Sequence, residues 1–141
     1  MSTINTGRVI GAGLAAGLVF NVVDMASQFV LQDDMTAMID RLHLDPALKE
    51  MAFANIAPWI GVDFIMGILI VLNYAAMRPR FGPGPKTALL AGFMLFAAVT
   101  TVIYGFESMG LFSQAMFLKA SASAALCTAL ASLAGGWLYK E

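Results

Sequence analysis

Charge is what this chain most lacks. Of its 141 residues only 12% are Asp, Glu, Lys or Arg, against 60% hydrophobic residues. Ordinary soluble domains carry about twice that share of charge, so the excess apolar surface needs lipid to cover it. Cysteine is nearly absent too: Cys127 stands alone, which excludes an intrachain disulfide. It lies mid-span among Ala and Leu, where it reads as a small apolar residue. There is one histidine, His43. A haem, zinc or histidine-based acid–base site needs more ligands or partners than that, and neither a Ser–His–Asp set nor an H-E-x-x-H helix is present. Gly82-Pro-Gly84-Pro-Lys86 lacks the glycine spacing of a phosphate loop. With a net charge of −1 there is no polybasic or acidic tail to suit nucleic acid. These absences point to a non-catalytic membrane protein with no bound cofactor and no metal.

What is present is four long apolar runs: Val9–Leu31, Ile56–Met77, Thr87–Phe106 and Leu111–Leu138. Each is long enough for about 30 Å of hydrocarbon. Backbone groups in lipid must be satisfied within the segment, which selects helices. The expected fold is all-α, a single four-helix transmembrane domain over 1–141. The first run is longer than a signal-peptide core and is expected to be retained. Neither end shows a lipidation motif.

The connections predict orientation. Between runs two and three lie Arg78, Arg80 and Lys86 with no acid, whereas the connection between runs one and two carries Asp33, Asp34, Asp40, Asp45 and Glu50 against Arg41 and Lys49. The positive-inside rule places the basic turn, and with it both termini, in the cytoplasm. Trp59, Tyr74, Trp137 and Tyr139 sit near run ends, as an aromatic belt requires. Within the acidic connection, Met35, Met38, Ile39 and Leu42 recur at helical spacing behind Asp33–Asp34. That spacing predicts a short amphipathic surface helix within Asp34–His43. Asp45–Pro46 predicts a second helix start. Pro58 is expected to kink the run that follows, and the three prolines of the basic turn to stop helix there.

The turn Arg78-Pro-Arg-Phe-Gly-Pro-Gly-Pro-Lys-Thr-Ala88, with Asn21-x-x-Asp24 in the first run and Gly136-Trp-Leu-Tyr-Lys-Glu141 at the end, resembles a group of small bacterial four-span integral membrane proteins. In that group the acid of the first span is often Glu. The resemblance covers most of the chain. It implies the four-span topology and a bacterial inner-membrane location, and it assigns no functional residue.

Three ionisable residues fall inside the apolar runs: Asp24, Asp63 and Lys119. Each lies about seven residues from a run end on the non-cytoplasmic side, roughly 10 Å deep at about 1.5 Å per residue. Charge at that depth faces a partner, a cavity or a ligand. Gly13, Gly17, Asn21, Asp24 and Gln28 form one stripe on the first run, which must face the bundle or another subunit. Asp63, Gly67 and Tyr74 share a face of the second. Ser121, Ala125, Thr128, Ser132 and Gly135 make a small-residue stripe on the fourth, with Lys119 and Ser123 on another face. Glu107 ends the third run, with Tyr104 one turn deeper.

The candidate ligand- or ion-binding set is therefore Asp24, Asp63, Lys119, Asn21, Gln28 and Glu107. The same residues also suit an internal salt bridge between Lys119 and Asp24 or Asp63, which would only fix helix register. Alternatively, Lys119 snorkels to its own end of the membrane. Two functions compete. One is an accessory or interaction subunit of a membrane complex, in contact with other subunits or with copies of itself as well as the bilayer. The other is a small oligomeric ion- or proton-coupled transporter that uses the charged cluster. A membrane enzyme ranks below both.

Overall fold

The computed structural model describes residues 4–49 and 56–139. These are helical apart from short connections. There are four long helices: α1 (Thr6–Arg41), α2 (Ala57–Phe81), α3 (Pro85–Ser108) and α4 (Gln114–Leu138). All four are long and apolar enough to cross a membrane. They form an up-and-down bundle with two unlike ends. The basic end holds the α2–α3 turn, and the acidic end holds the α1–α2 connection.

Helix α1 is the departure from expectation. Its 36 residues extend about 54 Å at about 1.5 Å per residue, well beyond the roughly 30 Å of a bilayer core. Asp34–Arg41 is helical as expected, but continuous with α1; the short helix between the first two spans begins beyond it, at 47. The stretch between Leu31 and Arg41 contains neither Gly nor Pro, so nothing there breaks the helix. It stops at a Schellman motif. The Leu44 amide donates to the Ile39 carbonyl (3.0 Å) and the His43 amide to that of Asp40 (3.2 Å), with His43 at φ 51°. Ile39 is buried there.

The helix start expected at Asp45–Pro46 is present. The Ala47 amide donates to Asp45 Oδ1 at 2.9 Å and a short helix follows at 47–49. Its continuation over 50–55 lies outside the described residues. Lys49 ties it back to α1 through Asp40, at 2.6 Å.

Proline acts differently from expectation in two places. Pro58 lies in the first turn of α2 and begins the helix instead of kinking it, because an amide there has no intrahelical partner to lose. Pro79 does not end α2, which runs on to Phe81. The reversal comes at Gly82 and Gly84, with φ of 78° and 136°. Pro85 then opens α3. At the other end, Gly110 (φ 76°) closes α3 and the Ser113 side chain caps α4 through the Met116 amide at 3.1 Å. That cap is why α4 begins at Gln114 and not at Leu111.

The core occupies the basic half of the bundle. Val9, Ala12 and Ala16 of α1 pack with Ile70, Val71 and Tyr74 of α2, Ala88 and Ala91 of α3, and Ala131 of α4. Glycine sets how closely α1 and α2 approach. A Cβ on Gly13 would stand 2.6 Å from the Ile68 backbone, and one on Gly67 would overlap the backbone of Gly13 and Gly17. Lipid offers no hydrophobic drive between helices, so such backbone contact is what holds them together. Helix α3 is buried only at Thr87, Ala88, Ala91 and Gly92, all in its first third. From Phe93 onward no residue of α3 is fully buried.

A candidate ligand chamber between the two carboxyls

The predicted faces converge as expected on α1 and α2. Gly13, Gly17 and Asn21 are buried on α1; Asp63, Gly67 and Tyr74 are buried on α2. Of the stripe on α4, Thr128, Ser132 and Gly135 are buried, whereas Ala125 is exposed.

Above this packed zone, toward the acidic end, the helices part around a cavity of about 330 Å³. Asp24 and Asp63 both line it. Both also line a smaller notch of about 40 Å³, together with Asn21 and Gln28. The carboxyls thus stand between the chamber and a small notch large enough for a water molecule, which Met25, Ile56, Trp59 and Ile60 also line. Asn21 is held in place by its Nδ2, which donates to the Gly17 carbonyl at 2.9 Å. Asp63 is only 7% exposed. Among the described residues, no hydrogen bond or ion pair reaches either Asp24 or Asp63.

Lys119 does not join them, which corrects the expected salt bridge. Its Nζ lies 2.6 Å from Asp34 Oδ2, and its side chain is 43% exposed. Two features of helix geometry explain this. Side chains lean toward the N-terminus of their helix, and the α4 N-terminus is at the acidic end, so the lysine stem reaches outward. The uninterrupted α1 also carries Asp34 about 15 Å beyond Asp24 at about 1.5 Å per residue, where it meets that stem. Arg41 is likewise engaged at this rim, donating to the Leu111 carbonyl at 2.8 Å.

Glu107 is half-buried at the end of α3 and does not line the chamber. Tyr104 is exposed, with its ring edge-on to Phe117 at 5.9 Å. Of the six candidate residues, the structure therefore unites Asp24, Asp63, Asn21 and Gln28, and separates Lys119 and Glu107 from them.

Several chamber residues are not in the predicted set. Phe20 lies one turn before Asp24 and Trp59 one turn before Asp63, and both line the cavity. Their i, i+4 spacing from the acids was the available signal. Phe106, Phe112, Met116 and Cys127 add to the wall. Met116 and Cys127 share one face of α4, three turns apart, but no period relates them to Phe106 or Phe112, which come from other elements. Ser27 and Ser123 hydrogen-bond to each other and join α1 to α4 beside the chamber.

The belt aromatics divide. Trp59 and Trp137 are exposed as expected, but Tyr74 and Tyr139 are buried. The Arg78 guanidinium lies over both tyrosine rings, 5.9 and 5.4 Å from their centroids. The Tyr74 hydroxyl also accepts the Gly84 amide at 3.1 Å. A larger hollow of about 690 Å³ lies beside this group, whose polar side chains are already engaged. Neither a scan against protein-family models nor searches of curated proteins and of solved structures find a match to this chain.

Proposed function

We propose that the chain is a small ion- or proton-coupled carrier and that the chamber between Asp24 and Asp63 is its binding site. Asp63 carries this reading. It is a buried residue whose carboxyl borders a cavity and has no hydrogen-bond or ion-pair partner among the described residues. An uncompensated carboxylate in a low-dielectric site is costly, so its counter-charge comes from a proton or a bound cation. Because Lys119 is paired with Asp34, an internal bridge does not provide that counter-charge. The packed glycine crossing would close the basic half while the acidic half stands open, as one state of a carrier requires. We propose that its basic end faces the cytoplasm, on the strength of Arg78, Arg80 and Lys86, and the resemblance stated above is what suggests a bacterial inner membrane.

The test is flux in proteoliposomes that enclose a pH-sensitive dye. An imposed cation gradient drives proton counterflow in the wild type and not in Asp63→Asn. Equal flux in the two proteins, or none in either, overturns the carrier reading.

One observation favours an accessory subunit instead. Beyond Gly92, α3 buries no residue fully within the bundle, which leaves a long face for another membrane subunit. A stoichiometric membrane partner co-purifying from native membranes, together with absent flux, would select that reading.

A further inference from the structure

We propose that the chamber's ligand is a small organic cation with an apolar body, which enters sideways from the membrane between α2 and α3. The proposal rests on the reading of the chamber as a binding site and adds the class of ligand.

Three observations converge on it. First, the wall is apolar and aromatic, with Phe20, Trp59, Phe106 and Phe112 among its residues. A bare inorganic cation needs a shell of oxygens, and besides the two carboxyls this wall offers only the hydroxyls of Ser123 and Thr128, both already hydrogen-bonded. An apolar body gains burial here, and a cationic group gains further from ring faces. Second, the two carboxyls are the strongest polar groups lining the chamber, and Asp63 is nine-tenths buried without a hydrogen-bond or ion-pair partner among the described residues. A cationic group is what such a carboxylate lacks. Third, several lining residues are themselves exposed at the bundle surface. They are Trp59 and Val62 on α2 and Phe106 on α3, so the mouth opens laterally between these helices. The volume of about 330 Å³ is at the small end of the range for ligand pockets, roughly 300–1,000 Å³. It therefore suits a body of about one ring.

The experiment uses the full chain in lipid nanodiscs and a matched pair of probes. Benzyltrimethylammonium carries the charge; neopentylbenzene is its neutral isostere, with carbon in place of the quaternary nitrogen. Binding is read by calorimetry on the wild type and by Trp59 fluorescence in Trp137→Phe, where Trp59 is the only indole. The expected result is saturable binding of the cation, at least tenfold tighter than the isostere. Asp63→Asn should weaken the cation at least tenfold and leave the isostere unchanged, and Lys119→Met should bind as the wild type does.

Equal affinity for the two probes overturns the proposal, as does cation binding that survives both Asp63→Asn and Asp24→Asn. Should Asp63→Asn fail to fold, the wild-type comparison of the probes and Asp24→Asn still decide. Sodium and potassium titrations separate the two levels of inference. Carboxylate-dependent binding of those ions without the organic cation overturns the ligand class and leaves the carrier reading standing. Absence of binding by any cation overturns the ligand class, and the carrier reading falls with it if proton counterflow in proteoliposomes is absent too.

Discussion

The two halves of this bundle are built from different residues and do different things. In the basic half, Gly13, Gly17 and Gly67 bring backbone against backbone, and Gly92 sits close against Ser132 and Thr128. In the acidic half, Phe20, Trp59, Phe106 and Met116 surround two carboxyls and leave a cavity. Small residues allow continuous contact, and in lipid such contact is the main source of helix–helix affinity. Large side chains around charged groups cannot close without burying those groups bare. The comparison teaches where each role resides. The closed half is the scaffold, and the open half is where the proposed ligand would act.

The largest effect that tests this contrast is expected at Gly67. Gly67→Leu drives a side chain into the backbone of Gly13 and Gly17, and should cost about 3 kcal/mol, the upper range for overpacking. Gly61 lies on the same helix, and a Cβ there would meet nothing within 4 Å, so Gly61→Leu should stay within about 0.5 kcal/mol. Thermal unfolding in detergent measures both, and equal losses would break the distinction between the halves.

Next comes the carboxyl of the open half. Asp63→Leu replaces a buried, unpartnered polar group beside free volume, and should raise stability by about 1–3 kcal/mol. The same unfolding measurement decides it. A marked loss would show that Asp63 holds the fold together.

A smaller effect belongs to the basic turn. Tyr74→Phe removes the acceptor of the Gly84 amide and should cost about 1 kcal/mol. An unchanged melting temperature would show that the turn is held by its glycines and prolines alone.

The smallest concerns the rim. Lys119 and Asp34 should couple by no more than about 1 kcal/mol in a double-mutant cycle of Lys119→Met and Asp34→Asn, because the lysine is partly exposed. The cycle of Lys119→Met with Asp24→Asn should be additive. Coupling in that second cycle would restore the bridge inside the membrane.

Much of the fold is legible in the sequence because apolar length and helical period are local properties. The four runs, the glycine-to-polar face of α1 and the Asp45–Pro46 helix start can all be read that way. Helix ends are less legible. The acidic stretch after Leu31 has the pattern of a new helix, but acids that face water do not interrupt the one already running. The proline-rich turn has the composition of a helix stop, yet Pro79 is tolerated in the last turn of α2. At the candidate site, Asp24 and Asp63 are visible in the sequence as buried charge. The partner of Lys119 is not, because depth along a span does not say which way a long side chain leans.

By itself, then, the sequence determined a four-span helical membrane protein with carboxyls inside its hydrophobic layer, since the hydrocarbon allows few alternatives for such segments. Only the tertiary structure decided that Lys119 pairs with Asp34 and not with those carboxyls, and that Phe20 and Trp59 join them in one chamber. These are relations between helices. They depend on crossing distances set by glycine contacts and on where α1 ends, which no single segment's pattern encodes.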